Sequence, residues 1–84
     1  MAAGDIEASV RRILTELFPD RDVAALADDD DLATALSLDS MALIDVALQV
    51  ERELGLHIPD EDLGKLTSVR AAAHYVAEHL TSAG

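Results

Sequence analysis

Leu38-Asp39-Ser40-Met41, with the apolar-rich run that follows it to Leu54, is the stretch whose reading decides the fold of this 84-residue chain. Asp39 suits the N-cap of a helix, because its carboxylate accepts from first-turn amides and complements the positive end of the helix dipole. Ser40 then falls in the first turn, beside unpaired N–H groups, where helix ends favour an anion such as a phosphate ester. From there to Leu54 the apolar residues recur at helical period, and Gly55 is a natural left-handed stop. Two apolar lines run along this helix. Leu43, Val46, Ala47, Val50 and Leu54 share one side, while Met41, Ile44 and Leu48 form a second line displaced by roughly a quarter turn or more. Asp45 and Glu51 flank the second line, and Ser40 lies between the two. The first line reads as core. The second is either further core or a docking surface, and Ser40 taken alone has a plain reading as a capping or first-turn serine.

Upstream, Ile6, Val10, Ile13, Leu14 and Leu17 make one apolar face of a helix over Ile6–Phe18, with Asp5 as its cap and Pro19 as its stop. Between Pro19 and Ser37 the periodicity dissolves into a long loop. Val23 to Leu26 can make one helical turn, and Asp31 can cap another containing Leu32, Ala35 and Leu36, with Leu32 and Leu36 pinning the loop to the core. The acidic run Asp28–Asp31 reads as a solvated loop. It is no calcium loop: counted from Asp28 the positions that need glycine and glutamate hold Ala33 and Asp39, and counted from Asp30 they hold Ala35 and Met41.

Downstream, Leu56 and Ile58 point inward from an extended connector, and Pro59-Asp60-Glu61-Asp62-Leu63 suits a short helix that Gly64 ends. Thr67 or Ser68 caps a last helix from Val69 to about Leu80, with Val69, Ala72, Ala73, Val76 and Leu80 inward and a frayed tail at Thr81–Gly84. The whole predicts an all-α fold, a small antiparallel bundle of three to four helices with a long first loop. It forms a single domain over residues 1–84, ordered over about 5–80.

The composition narrows function. A net charge of −11, with Phe18 and Tyr75 as the aromatic residues, argues against nucleic acid and anionic membrane surfaces and favours a basic patch on a protein partner. No stretch is long and apolar enough to span a bilayer. Met1-Ala2-Ala3-Gly4-Asp5 lacks the pattern of a signal peptide, so a cytoplasmic protein is expected. There is no cysteine for a disulfide or thiolate metal site. His57, His74 and His79 lack metal-ligand spacing and read as solvent-facing, and no glycine-rich elbow surrounds Ser40 to make it a catalytic nucleophile. No catalytic and no metal residue is expected.

From Leu36 to Leu80 the sequence resembles the acyl carrier protein family, and with the first helix the likeness covers nearly the whole domain. Leu38-Asp39-Ser40-Met41 is similar to the family's attachment motif. Glu51-Arg52-Glu53-Leu54 and His57-Ile58-Pro59-Asp60-Glu61-Asp62 resemble its acidic helix end and its Ile-Pro-Asp-Glu connector. Lys65-Leu66-Thr67-Ser68-Val69 and Tyr75 resemble its final helix. One position departs: the family usually carries glycine two residues ahead of the Asp-Ser pair, and this chain has Ser37.

The resemblance implies a discrete, monomeric carrier, not an enzyme. Ser40, flanked by the cap Asp39, would be esterified with 4′-phosphopantetheine from coenzyme A by a phosphopantetheinyl transferase. The terminal thiol would carry acyl groups as thioesters in polyketide, fatty acid or related biosynthesis. Met41, Ile44, Asp45, Leu48 and Glu51 match the family's recognition helix, which meets loading enzymes, synthases and other pathway enzymes through basic docking patches. That turns the second apolar line into a docking surface. The alternatives are an aminoacyl or peptidyl carrier of a nonribosomal peptide or D-alanylation pathway, and an unmodified helical adaptor.

Overall fold

The computed structural model describes residues 3–83, with side chains over 4–80. Met1, Ala2 and Gly84, on which part of the expectations for the two termini fall, lie outside the described residues. The order is α1 Ala3–Leu17, a 3-10 turn Val23–Ala25, α2 Leu32–Ala35, α3 Ser40–Leu54, a 3-10 helix Asp60–Lys65, and α4 Val69–Ala83. No strand occurs among the described residues, so the all-α reading holds.

Local chemistry sets most of the boundaries. The Asp39 carboxylate accepts from the Ala42 amide at 2.8 Å and caps α3, and Gly55 ends it in the left-handed region at φ 72°. Asp31 caps α2 by accepting from the Thr34 amide, and the Ser68 hydroxyl accepts from the Ala71 amide at the start of α4. Three boundaries differ from expectation. Asp5 lies inside the first turn of α1, which begins at Ala3, so its carboxylate complements the dipole there rather than capping. Gly64 does not end the helix after Pro59; the 3-10 form runs through it to Lys65. Thr81–Ala83 continue α4 instead of fraying, and that stretch contains neither glycine nor proline to stop it.

α1 is the shared partner, packing most extensively on α4 and next on α3. Ile6, Val10, Ile13 and Leu14 are buried against Val46, Ala47 and Val50 of α3 and Val69, Ala72, Ala73 and Val76 of α4, within one core cluster. The first loop is pinned to it by buried Val23, Leu26, Leu32 and Leu36. Of the line expected as core on α3, Leu43 and Leu54 are only half-buried. Tyr75, absent from the expected core, is buried.

The acidic run is not merely solvated. Asp28 accepts from Arg11 of α1 at 2.6 Å, Asp29 accepts from Arg70 of α4 at 2.6 Å, and the Asp28 carbonyl takes the Arg70 amide at 3.0 Å. That amide is one of the four at the start of α4 that lack a partner within the helix. The loop is thereby tied to both α1 and α4. His57 and His74 are exposed as expected. His79 is not solvent-facing: its ring stacks on Tyr75 at 3.9 Å between centroids, and Nδ1 donates to the Tyr75 carbonyl at 2.8 Å.

Candidate functional site

Ser40 is the first residue of a fifteen-residue helix and is exposed. The amides of Ser40 and Met41 begin α3 ahead of its first intrahelical acceptor, while Asp39 occupies the amide of Ala42. An anionic ester on the Ser40 oxygen would meet unsatisfied N–H groups and the positive end of the dipole. Its bulk would project from an open surface. The residues present therefore fit a phosphate-linked group at this position.

The approach to Ser40 is held from several directions. Arg21 donates through Nε to the Leu36 carbonyl at 2.8 Å, and the Leu38 amide donates to the Ala33 carbonyl at 2.9 Å. Between them Ser37 takes φ 55°, the one positive value among the described non-glycine residues. This is the position where a glycine was expected on resemblance. The backbone keeps the left-handed conformation, and the serine side chain bears its steric cost.

Ser40 also borders an apolar groove of about 200 Å³ lined by Leu43 and Ile44 of α3 and by Leu63 and Gly64 of the 60–65 helix. Sequence periodicity placed Leu43 in the core, because a helical projection cannot say where a neighbouring element stops. Leu63 and Gly64 carried no signal of this role.

The second line of α3 faces solvent. Met41 is 68% exposed, Leu48 46% and Ile44 36%, and Asp45 is exposed beside them. The further-core reading of this line is therefore overturned, for among the described residues nothing buries Met41, Ile44 or Leu48. Glu51 differs from its neighbours. Its Oε2 accepts from the Ile58 amide at 2.8 Å and meets His57 Nδ1 at 3.0 Å, which ties the connector to α3 and leaves the carboxylate at the edge of the exposed face.

The 60–65 helix has no buried residue of its own, and a side chain from α4 secures it. Tyr75 donates its hydroxyl to Asp62 Oδ2 at 2.6 Å, and Lys65 pairs with the same carboxylate at 3.3 Å. Burial, and then Asp62, push the Tyr75 hydroxyl up to about 12. The Tyr75 hydrogen bond, opposed by desolvation and aided by Lys65, holds the Asp62 carboxyl below its ordinary value. Among the described residues no group of three or more His, Cys, Asp or Glu side chains is arranged for a metal ion. No helix among them is long and apolar enough to cross a membrane.

Comparison with known proteins matches residues 8–76 to the family described as "Phosphopantetheine attachment site". An acyl carrier protein of Rubrobacter xylanophilus is 40% identical over 47 residues, covering 56% of this chain and 58% of that protein. Two acyl carrier proteins of Rickettsia bellii are 25% and 27% identical over 75 residues, each covering 89% of this chain and 86% and 91% of their own. Among solved structures, the acyl carrier protein from Enterococcus faecalis superposes with a TM-score of 0.77 at 28% identity, over 94% of this chain and 99% of that one.

Proposed function

Since the chain belongs to the acyl carrier protein family, whose prosthetic group is 4′-phosphopantetheine and whose members are carriers rather than catalysts, we propose that Ser40 is its attachment residue. On this reading the protein carries acyl intermediates of polyketide, fatty acid or related biosynthesis. The observation that supports it best is Ser40 itself, exposed at the first position of α3 with its neighbour Asp39 occupied in capping.

When bound, 4′-phosphopantetheine supplies a terminal thiol for holding an acyl group as a thioester, a chemistry this cysteine-free chain does not otherwise possess. The chain's own part is to hold and to be met. Asp39 fixes the start of α3, so that the Ser40 oxygen is presented outward beside free amides. Met41, Ile44 and Leu48 offer apolar contact, and Asp45 with Glu51 at the edge supplies charge complementary to basic partner surfaces. Such a surface suits rapid encounter and release with several partners in turn: a phosphopantetheinyl transferase, loading enzymes and synthases. Tethering raises the effective concentration of the cargo at each of them. The proposal puts the carrier in the cytoplasm, as a monomer, with the coenzyme A on which its modification depends.

The test is intact mass after incubation with coenzyme A and a broad-specificity transferase, beside Ser40→Ala. A gain of one phosphopantetheine in the unsubstituted protein alone is expected. No gain in a folded sample would leave an unmodified helical adaptor as the better reading. Cargo mass recovered from producing cells separates an acyl carrier from an aminoacyl or peptidyl one.

A further inference from the structure

Arg52 stands apart from the other cations. Arg11, Arg12, Arg21, Lys65 and Arg70 each have a carboxylate at 2.6 to 3.3 Å. Arg52 is exposed in the last turn of α3 and, among the described residues, has no carboxylate partner. In a chain with 17 acidic residues against 6 Lys and Arg, this is no shortage of acids.

Its position matters. Arg52 lies four residues beyond Leu48 and seven beyond Asp45, so it continues the Met41–Leu48 line about 10 Å along the axis from Asp45. Along the open line of α3 the charge is therefore polarised: Asp45 nearer Ser40, the apolar Leu48 in the middle, and the Arg52 guanidinium at the far end, with the mostly covered Glu51 at its edge occupied by the Ile58 amide.

Resting on the docking role given above to this face, we propose that Arg52 determines which partners fit it. The fitting protein surface carries a cation opposite Asp45 and a carboxylate opposite Arg52, on either side of an apolar seat for Leu48. A docking patch that is basic throughout is disfavoured, because it sets like charges together at the Arg52 end. A guanidinium suits this task, since its planar fork pairs with a carboxylate in a fixed orientation. The competing role, complementing the negative end of the α3 dipole, acts on stability and not on partner encounter.

The test is kcat/KM for phosphopantetheine transfer by a broad-specificity transferase with a wholly basic docking patch, at low and high ionic strength. The substrates are the unsubstituted protein, Arg52→Gln, Arg52→Glu and Asp45→Asn, each with a thermal melt. A severalfold rise for Arg52→Glu at low salt is expected, with a smaller rise for Arg52→Gln, both shrinking at high salt, while Asp45→Asn slows transfer. Arg52→Glu unchanged or slower, with Asp45→Asn slowed, overturns the proposal and leaves the docking face intact. A shift in melting without a change in kcat/KM also overturns it, in favour of the dipole role. If neither position affects the rate, the docking face itself falls. An unsubstituted protein that is never modified removes the carrier reading beneath both.

Discussion

Where α1 meets α4, Ile6, Val10, Ile13, Val69 and Val76 are wholly buried, and a charged pair ties the first loop to each helix. Where α3 meets the 60–65 helix, that short helix buries none of its residues, an apolar groove stays open, and Met41, Ile44 and Leu48 face solvent. The contrast separates two jobs that one small core must share. The first side supplies cohesion, since removing apolar area from water is the main favourable term in folding. The second leaves apolar area outside the fold, where the proposed docking role would use it for contact with other molecules. α3 belongs to both, with Val46, Ala47 and Val50 turned inward and Met41 and Leu48 outward.

The sharpest way to break this division is to truncate one residue on each side. Ile13→Ala should cost about 2–5 kcal/mol in urea unfolding, a large part of the stability of a small domain. Leu48→Ala should cost about 0.5 kcal/mol or less while slowing transfer by partner enzymes. Equal losses of stability would abolish the distinction.

Next comes the tie between the sides, the Tyr75–Asp62 hydrogen bond. The Tyr75 hydroxyl sits at about 12 against an ordinary 10.0. A raised value contributes stability that is complete below 10.0 and is lost as pH climbs toward about 12. Alkaline titration followed by circular dichroism should show that loss, and Tyr75→Phe should lack it. Asp62, held below its ordinary 3.8, contributes in the opposite sense: its share is present above 3.8 and fades as pH falls below it.

Smaller effects are expected at the two left-handed positions that bracket α3. Ser37→Gly should stabilise by about 1 kcal/mol and Gly55→Ala should destabilise by about as much, both read from chemical denaturation. A Cβ at Gly55 meets nothing within 4 Å, so the loss there is one of backbone conformation alone. Smallest of all is the surface staple. Arg70→Gln should cost about 0.2–1 kcal/mol, and the difference should shrink in high salt.

What could be read from the chain was what neighbours in sequence decide. Asp39, Asp31, Ser68 and Gly55 all cap as expected, because a cap needs only a side chain or a φ angle within three or four residues. What could not be read depends on distant partners. Asp29 and Arg70 are 41 positions apart, Arg11 and Asp28 are 17, and no local pattern joins them. The second line of α3 was legible as a line but not as a surface, since period gives an angle and not what covers it. Ser40 stood out by resemblance; its local chemistry alone equally suits an ordinary first-turn serine. Arg52 carried no signal, because its distinction is the absence of a neighbour.

The dominance of the α1–α4 contact also has a kinetic side. The apolar face of α1 finds its principal partner in residues 69–83, more than fifty positions later. During synthesis the α4-facing part of this packing must therefore wait for residues 69–83 to clear the ribosome, and closing so long a loop delays the reward of the contact. α1 and α3 can meet earlier, over a less extensive contact. The most extensive contact of the bundle is thus the one whose two halves leave the ribosome furthest apart in time.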